Sequence, residues 1–515
     1  CTITNNSYVV WYNHGYVLGI HATASCTIKD CEIAYNTVHF LDPQPEANSW
    51  ILKTDVAGAL CQNINIHDNH YWGVRQNLIA SSVKDPDAII SEENNGPLYP
   101  QSTPEVESRS VSDIDGLLAA LEAAEPWSEI VLEPGPYTLN ATLDIKKPIT
   151  IRGATGNRDN VIISGNANQY CIRLWTDGAA IKDLTVSKAK GYRYWWMDAP
   201  IALFGGGLVS NCRITGNVYS SGGIYGIRNW NGTVIDTLID GNTARNDQAN
   251  NWQNGNGFYW QKGSLALLDR SVVTNNRFYD VYNNENNREN YIISSGIFIV
   301  GGIVRNTQVN KNIMEYNEKY VTNPTTIVAN RKALGVYLNS ANAVIENCTV
   351  SDNISKGVAQ DNVAGIVCVA GTVKNTLVWN NGDENGAKIV NMTGNASNYK
   401  YCALDDVTDI EGGVKLTETP YQYESGVAMP LTGAAILGKG LLDPTWMTAE
   451  AKDLAGNPRL ADGKVSIGAT EFVSAMTITW QAIKYRAYDR YSQFVEAGQV
   501  TGDTTGLEYW WDLDG

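Results

Sequence analysis

Rings, guanidinium groups and carboxylates crowd one stretch of this chain. Arg193, Trp195 and Trp196 come first, followed by Arg228 and Trp230, Asp247 and Trp252, and Tyr259 and Trp260. Tyr279, Tyr282, Arg288 and Tyr291 complete the group, with Asp280, Glu285 and Glu289 among them and Tyr316, Tyr320 and Arg331 beyond. A flat ring stacks on the apolar face of a sugar, while Arg and carboxylate groups take hydroxyls or charged substituents. The residues from Arg193 to Tyr291, without the three extra carboxylates, are the expected carbohydrate-binding set. The competing reading is that the rings only pack loops onto the scaffold. No catalytic residue is assigned. Asp247, Asp280, Glu285 and Glu289 offer carboxylates and Arg288 or Tyr291 a base, but no compact motif joins them.

Other candidates carry less. All five histidines, His14, His21, His39, His67 and His70, fall in the first 70 residues. His67-Asp68-Asn69-His70 invites a metal reading, but neighbours on a strand point to opposite faces and tetrahedral zinc needs further ligands. Surface histidines are expected there, and no metal site is assigned. Asp512, Asp514 and Gly515 start a calcium-loop pattern whose remaining ligands are not in the sequence, so calcium is the one cofactor left open. Nine cysteines, an odd number with no Cys-x-x-Cys pair, are expected as buried free thiols rather than a disulfide framework. Dinucleotide, P-loop and Gly-x-Ser-x-Gly signatures are missing.

The elements that would position these residues are set by a repeat. An apolar residue is followed two positions on by Asn or Asp, three on by an apolar residue, and three on again by Asn. It reads Ile28, Asp30, Ile33, Asn36, then Cys61, Asn63, Ile66, Asn69. It returns at Val209, Asn211, Ile214, Asn217, at Val234, Asp236, Ile239, Asn242, and at Leu267, Asp269, Val272, Asn275. Val304, Asn306, Val309, Asn312, then Ile345, Asn347, Val350, Asn353, and Val373, Asn375, Val378, Asn381 continue it. Ile3 and Asn6 fit the same frame. A glycine starts a short strand ahead of the later copies, at Gly223, Gly257, Gly296, Gly335 and Gly365.

Each copy reads as one coil of a solenoid. Short strands with inward Val, Ile or Leu are broken at corners, where Asn and Asp tolerate left-handed φ and bond nearby backbone. Stacked coils set like residues about 4.8 Å apart, so Asn can ladder along the axis. A single coil buries no core, so stacking is obligatory. The stretch between corner Asn and next strand lengthens after Asn242, Asn275 and Asn312 and shortens again after Asn353. The long loops carry much of the ring and charge set.

The expected fold class is all-β: right-handed parallel β-helix segments in tandem, a short capping helix and an incomplete β-sandwich at the C-terminus. Residues 1–80 read as the last coils of a first β-helix and 81–110 as a Pro- and Asn-containing linker. Residues 111–127 read as a capping helix with Ile114, Leu117, Leu118 and Leu121 on one face, and 128–472 as a second β-helix. Residues 473–515 read as the start of an immunoglobulin-like domain. Both ends read as cut from something longer.

The run Ile130-Val131-Leu132-Glu133-Pro134-Gly135-Pro136-Tyr137, then Ile149-Thr150-Ile151-Arg152-Gly153, resembles the opening of pectin-lyase-like β-helix domains. Asp453-Leu454-Ala455-Gly456-Asn457-Pro458-Arg459 with Val465 to Phe472 resembles the closing motif of large bacterial surface proteins of that fold. Met476 to Trp480 and Tyr509 to Gly515 resemble the first strands of a polycystic-kidney-disease-type domain. The resemblance implies a secreted or surface-attached bacterial protein, with a polysaccharide or cell-surface glycan as partner, or neighbouring copies and other surface proteins. The implied role is an adhesin, stalk or glycan-binding module. The alternatives are a polysaccharide lyase or glycoside hydrolase acting beside the long loops, and a self-assembling sheath or filament. A net charge of -16 argues against nucleic acid, and no apolar run is long enough to span a membrane.

Overall fold

The computed structural model of the chain describes residues 107–472 except 166–170, 193–198, 221–225, 247–254, 257, 264, 281–291, 295, 317–331, 357–362, 406 and 408. It also describes segments 2–4, 7–10, 14–20, 27–40, 48–54, 60–72, 90–93 and 96–97, and strands 477–480 and 498–501.

The described chain is a parallel β-helix. From residue 108 on, the coils build a 20-stranded and an 11-stranded parallel sheet, and between Lys190 and Asp383 they add a third, 7-stranded one. Core columns run along the axis. Ile181, Val209, Val234, Leu268, Val304, Ile345 and Val373 stack in register, as do Val186, Ile214, Ile239, Val273, Val309, Val350 and Val378. All of these are buried, and each removes roughly 1.5–3 kcal/mol worth of apolar side chain from water.

Two left-handed residues per coil bracket the three-residue strand of the 11-stranded sheet. The first is Asp183, Asn211, Asp236, Arg270, Asn306, Asn347 or Asn375, with φ from 41° to 57°. The second is Lys188, Gly216, Gly241, Asn275, Lys311, Asp352 or Asn380. Directly after the second corner stands a buried asparagine ladder: Asn217, Asn242, Asn276, Asn312, Asn353 and Asn381. From Asn242 on, each side-chain oxygen accepts from both the backbone and side-chain amides of the preceding rung.

The repeat expected at Leu267, Asp269, Val272 and Asn275 is displaced by one residue. The inward residues are Leu268 and Val273, the corner is Arg270, and the ladder member is Asn276. Arg270 holds its turn by pairing both its Nε and Nη2 with Asp236 on the preceding coil, each at 2.9 Å. The earlier coil at Ile181, Asp183, Val186 and Ala189 also belongs to the series, with Ala in the ladder position accepting no side-chain bond of its own.

Gly226, Phe258, Gly296, Gly335 and Gly365 also stack on successive coils, while Gly223 and Gly257 lie outside the described residues. A Cβ on Gly296 would lie 2.3 Å from the Gly335 carbonyl oxygen and 2.7 Å from Val309 Cγ1, so only glycine lets the coils close there.

A helix, Ile114–Ala123, sits at the first coil, with the Asp113 carboxylate accepting from Gly116 N at 2.7 Å as its cap. Leu117, Ala120 and Ala124 are buried against the core and Ile114 and Leu121 pack at its edge, but Leu118 is 48% exposed. In the first segment, Thr2–Thr4, Thr27–Ala34, Leu60–His67 and Ile90–Glu93 form one parallel ladder, and Asn36 donates twice to Asn69. This ladder and its companion run to Gly96–Pro97, inside the stretch expected as linker. Thr477–Trp480 pairs antiparallel with Gly498–Thr501, while Tyr509–Gly515 lies outside the described residues.

Residues 416–472 fold back over the outer face of the 11-stranded sheet. Gln308 Nε2 donates to the Gly426 carbonyl and its Oε1 accepts from Ala428 N, both at 2.8 Å. Tyr421 and Tyr423 donate to Asp352, and Ala469 N donates to Thr349 Oγ1. Arg459, wholly buried, donates to the Ser466 and Gly468 carbonyls and faces Glu471 at 3.3 Å. In consequence Gln308–Asn310, Thr349–Ser351 and Leu377–Trp379 are buried on both faces. Arg213–Thr215, Leu238–Asp240 and Val272–Thr274 are buried only on the inner one.

Candidate functional site

The first strand of each coil turns alternate side chains outward, and two outward columns result. Backbone register stacks Asp144, Arg173, Ala202, Arg228, Trp260, Phe298, Tyr337 and Val367. Two residues on, Trp175, Phe204, Trp230, Lys262 and Val300 form the second column. Trp175 and Phe204 ring centroids are 4.7 Å apart, Phe204 and Trp230 meet edge to face at 5.2 Å, and Phe298 and Tyr337 lie 5.5 Å apart. Cations sit over the same rings: Arg173 5.4 Å from Trp175, Arg228 5.1 Å and Lys262 5.7 Å from Trp230.

The N-terminal end of this strip is open to solvent and oriented. Asp144 grips Arg173 through both oxygens at 2.6 Å, and one of these also accepts Trp175 Nε1 at 2.7 Å. Arg173 and Trp175 are half-buried, as is Tyr337 at the other end, whose hydroxyl is pushed up from its ordinary pKa by burial. The middle is closed over: Arg228, Trp230 and Phe298 are buried although they project from the outer face.

Of the expected binding set, Arg228 and Trp230 therefore lie in this strip, beneath its surface. The backbone of Trp260 places it in the first column, and that of Tyr279 places it on the 7-stranded sheet. Tyr259 is a core residue. It points inward one position from Trp260, donates to Gln261 Oε1 at 2.8 Å and accepts from Asn229 Nδ2 at 2.9 Å, and burial pushes its hydroxyl far above the usual value. Arg193, Trp195, Trp196, Asp247, Trp252, Tyr282, Arg288 and Tyr291 lie outside the described residues.

The strip adds Asp144, Arg173, Trp175, Phe204, Phe298 and Tyr337, which attention to the long loops passed over. A signal for them was present: Ile172-Arg173-Leu174-Trp175 and Ile227-Arg228-Asn229-Trp230 are the same Ile-Arg-x-Trp motif two coils apart.

Four outward carboxylates on the described coils are held by arginines of adjoining rungs. Asp144 is paired with Arg173, Asp240 with Arg213, Asp236 with Arg270 and Asp269 with Arg305. Cys31, Cys171, Cys212, Cys348, Cys368 and Cys402 are buried free thiols. His67 lies between Asp68 at 2.7 Å and Glu32 at 3.2 Å, with its ring edge-on to Tyr35.

No family model and no curated protein matches the chain. Among solved structures it is similar to pectate lyase Pel9A, at 14% identity and TM-score 0.38, over 72% of this chain and 97% of that one. It is also similar to the PL6 family alginate lyase AlyGC, at 14% identity and TM-score 0.24, over 63% of this chain and 55% of that one. A third likeness is to the PL6 family polysaccharide lyase Pedsa3628 from Pseudopedobacter saltans, at 12% identity and TM-score 0.24, over 57% and 84% of the two chains.

Proposed function

We propose that this chain is a polysaccharide-binding length of β-helix from an extracellular bacterial surface protein, working as adhesin or stalk rather than as an enzyme. The Ile-Arg-x-Trp strip carries the reading. It sets rings and cations in register along the solenoid axis, and its half-buried ends, Arg173 with Trp175 and Tyr337, are the groups that a polymer laid along the axis would meet. Arg173 and Trp175 are both oriented by Asp144, which reduces the side-chain entropy lost on binding. The arginine-paired carboxylates on the described coils support the non-catalytic role. A general base must accept a proton in a substrate complex, and a carboxylate locked bidentate to arginine is ill suited to that.

The test is binding across acidic and neutral glycan polymers, with turnover monitored by the absorbance of unsaturated uronate and by reducing ends. Expected are binding of an acidic polymer, its weakening by about tenfold in a Trp175→Ala/Tyr337→Ala variant, and no product. Unchanged binding in the variant removes the strip as the site. Product formation that the variant slows makes the chain a lyase or a hydrolase instead.

A further inference from the structure

A cleft opens on a different face from the strip, where the closing segment stops covering the 11-stranded sheet. Its volume is about 380 Å³. The floor is Leu238 and Val272, register neighbours on adjacent coils with half-buried side chains turned outward. One wall is the loop holding Arg158 and the other is the tip of the hairpin at Ser425–Val427. On the next coil the position equivalent to Val272 is Gln308, which is buried beneath that hairpin. The cleft is thus the first uncovered rung of the face.

Both walls are fixed before any ligand arrives. Arg158 Nη1 donates to the carbonyls of Cys212 at 3.3 Å and Asp236 at 3.2 Å, spanning two coils. The hairpin tip is clamped by Gln308 through two hydrogen bonds. The charges along the cleft cancel: Arg158 and Arg270 stand against Asp236 and Asp240. Asp236 is held by Arg270, and Asp240 by Arg213 at 2.9 and 2.7 Å, so the carboxylate oxygens are oriented while keeping lone pairs to accept hydroxyls.

We infer that this cleft is a second carbohydrate subsite, taking one or two neutral sugar residues. A net-neutral lining gives no attraction for a polyanion. A flat aliphatic floor beside oriented acceptors and guanidinium donors matches a pyranose, which has an apolar face and a rim of hydroxyls. The volume falls within the range of small-ligand sites, about 300–1,000 Å³. The inference rests on the reading that the chain meets polysaccharide, but uses a separate face and a different sugar chemistry from the Ile-Arg-x-Trp strip.

The experiment is calorimetric titration of the full chain with neutral gluco-, manno- and galacto-trisaccharides. Three variants are compared: Leu238→Trp, which fills the cleft from an outward position, Asp236→Asn and Trp175→Ala. Asp236→Asn places at that corner the residue found at Asn211, Asn306, Asn347 and Asn375, so the turn is retained. At least one neutral trisaccharide should bind. Its affinity should fall about tenfold or more in Leu238→Trp and about threefold in Asp236→Asn, and stay unchanged in Trp175→Ala. No neutral trisaccharide binding to the parent chain, or full binding by both cleft variants, overturns the inference. Loss in Trp175→Ala alone also overturns it, by moving the neutral sugar onto the strip. Persistence of acidic-polymer binding in Trp175→Ala/Tyr337→Ala, with neutral binding lost in Leu238→Trp, overturns the strip and leaves the cleft standing.

Discussion

The side-chain oxygen of Asn276 accepts both the backbone amide of Asn242, at 3.0 Å, and its side-chain amide, at 2.9 Å. Asn276 Nδ2 reaches back to the Ile239 carbonyl at 2.9 Å. Its neighbour Asn275 has a left-handed backbone and stands beside the outer cleft. Two adjacent residues of one type therefore do unrelated work.

Asn276→Ala should destabilise the solenoid by about 3 kcal/mol, because two buried donors of Asn242 lose their acceptor. Asn275→Gly keeps the left-handed turn and should change stability by less than about 0.5 kcal/mol. Urea unfolding followed by circular dichroism separates the two. Equal effects would refute the assignment of the ladder.

Cys212, Cys348 and Cys402 should resist alkylation in the folded chain at pH 8 and react on unfolding, as read by site-resolved mass spectrometry. Burial pushes each thiol up to about 12, so little thiolate exists to react. Each donates to the carbonyl two residues back, as Thr237, Ser271, Thr307 and Thr376 do at the same corner. Cys212→Ser should therefore cost less than about 1 kcal/mol, since the hydroxyl makes the bond the thiol makes now.

The closing segment should loosen in strong acid. Lys374, and then Thr445, hold the Asp443 carboxyl down at about 2, below its ordinary 3.8. A carboxylate with a depressed folded pKa stabilises the fold above its unfolded value, and the contribution fades as pH falls through the folded one. Proteolysis within residues 416–472 should thus accelerate between about pH 4 and pH 2. Asp443→Asn should be susceptible already at neutral pH, with a flatter acid dependence. An identical pH profile in the variant would detach the effect from this pair.

His67 should titrate above 6.5 by nuclear magnetic resonance. The hydrogen bond to Asp68 raises it most, burial opposes, and Glu32 adds to the rise. A raised folded pKa means that the stabilisation is complete below the unfolded value and is lost as pH climbs through the folded one. Asp68→Asn, at a left-handed position that Asn tolerates, should bring the titration down towards 6.5. A midpoint at or below 6.5 in the parent chain would contradict the contact.

The fold was legible because its corners are chemically narrow. A left-handed residue that bonds the next coil is nearly always Asn or Asp, and Asn211, Asn306, Asn347 and Asn375 all reveal themselves this way. The reading slipped where chemistry was shared among neighbours. Arg270 fills an Asp-type corner through an ion pair, and the doublet Asn275-Asn276 allowed the frame to move by one. Ala189 hid a whole coil by leaving the ladder position without an amide. On the outward columns Trp230 stands out by its type, whereas Tyr259 faces the core, and its neighbours in sequence do not say which way the strand faces. The clamp of Gln308 on Gly426 joins residues 118 apart, and no local pattern encodes it.

The asparagine ladder also makes the length of this protein a stepwise quantity. Its rungs bridge sequence separations from 25 to 41 residues without changing their bonds. Whatever the chain does between two ladder asparagines is invisible to the ladder itself. A whole coil can be duplicated or excised with its hydrogen bonds closing on the next equivalent amide, while the outer loops diverge independently. Reach and surface chemistry are therefore separable variables, and selection can adjust one without renegotiating the other.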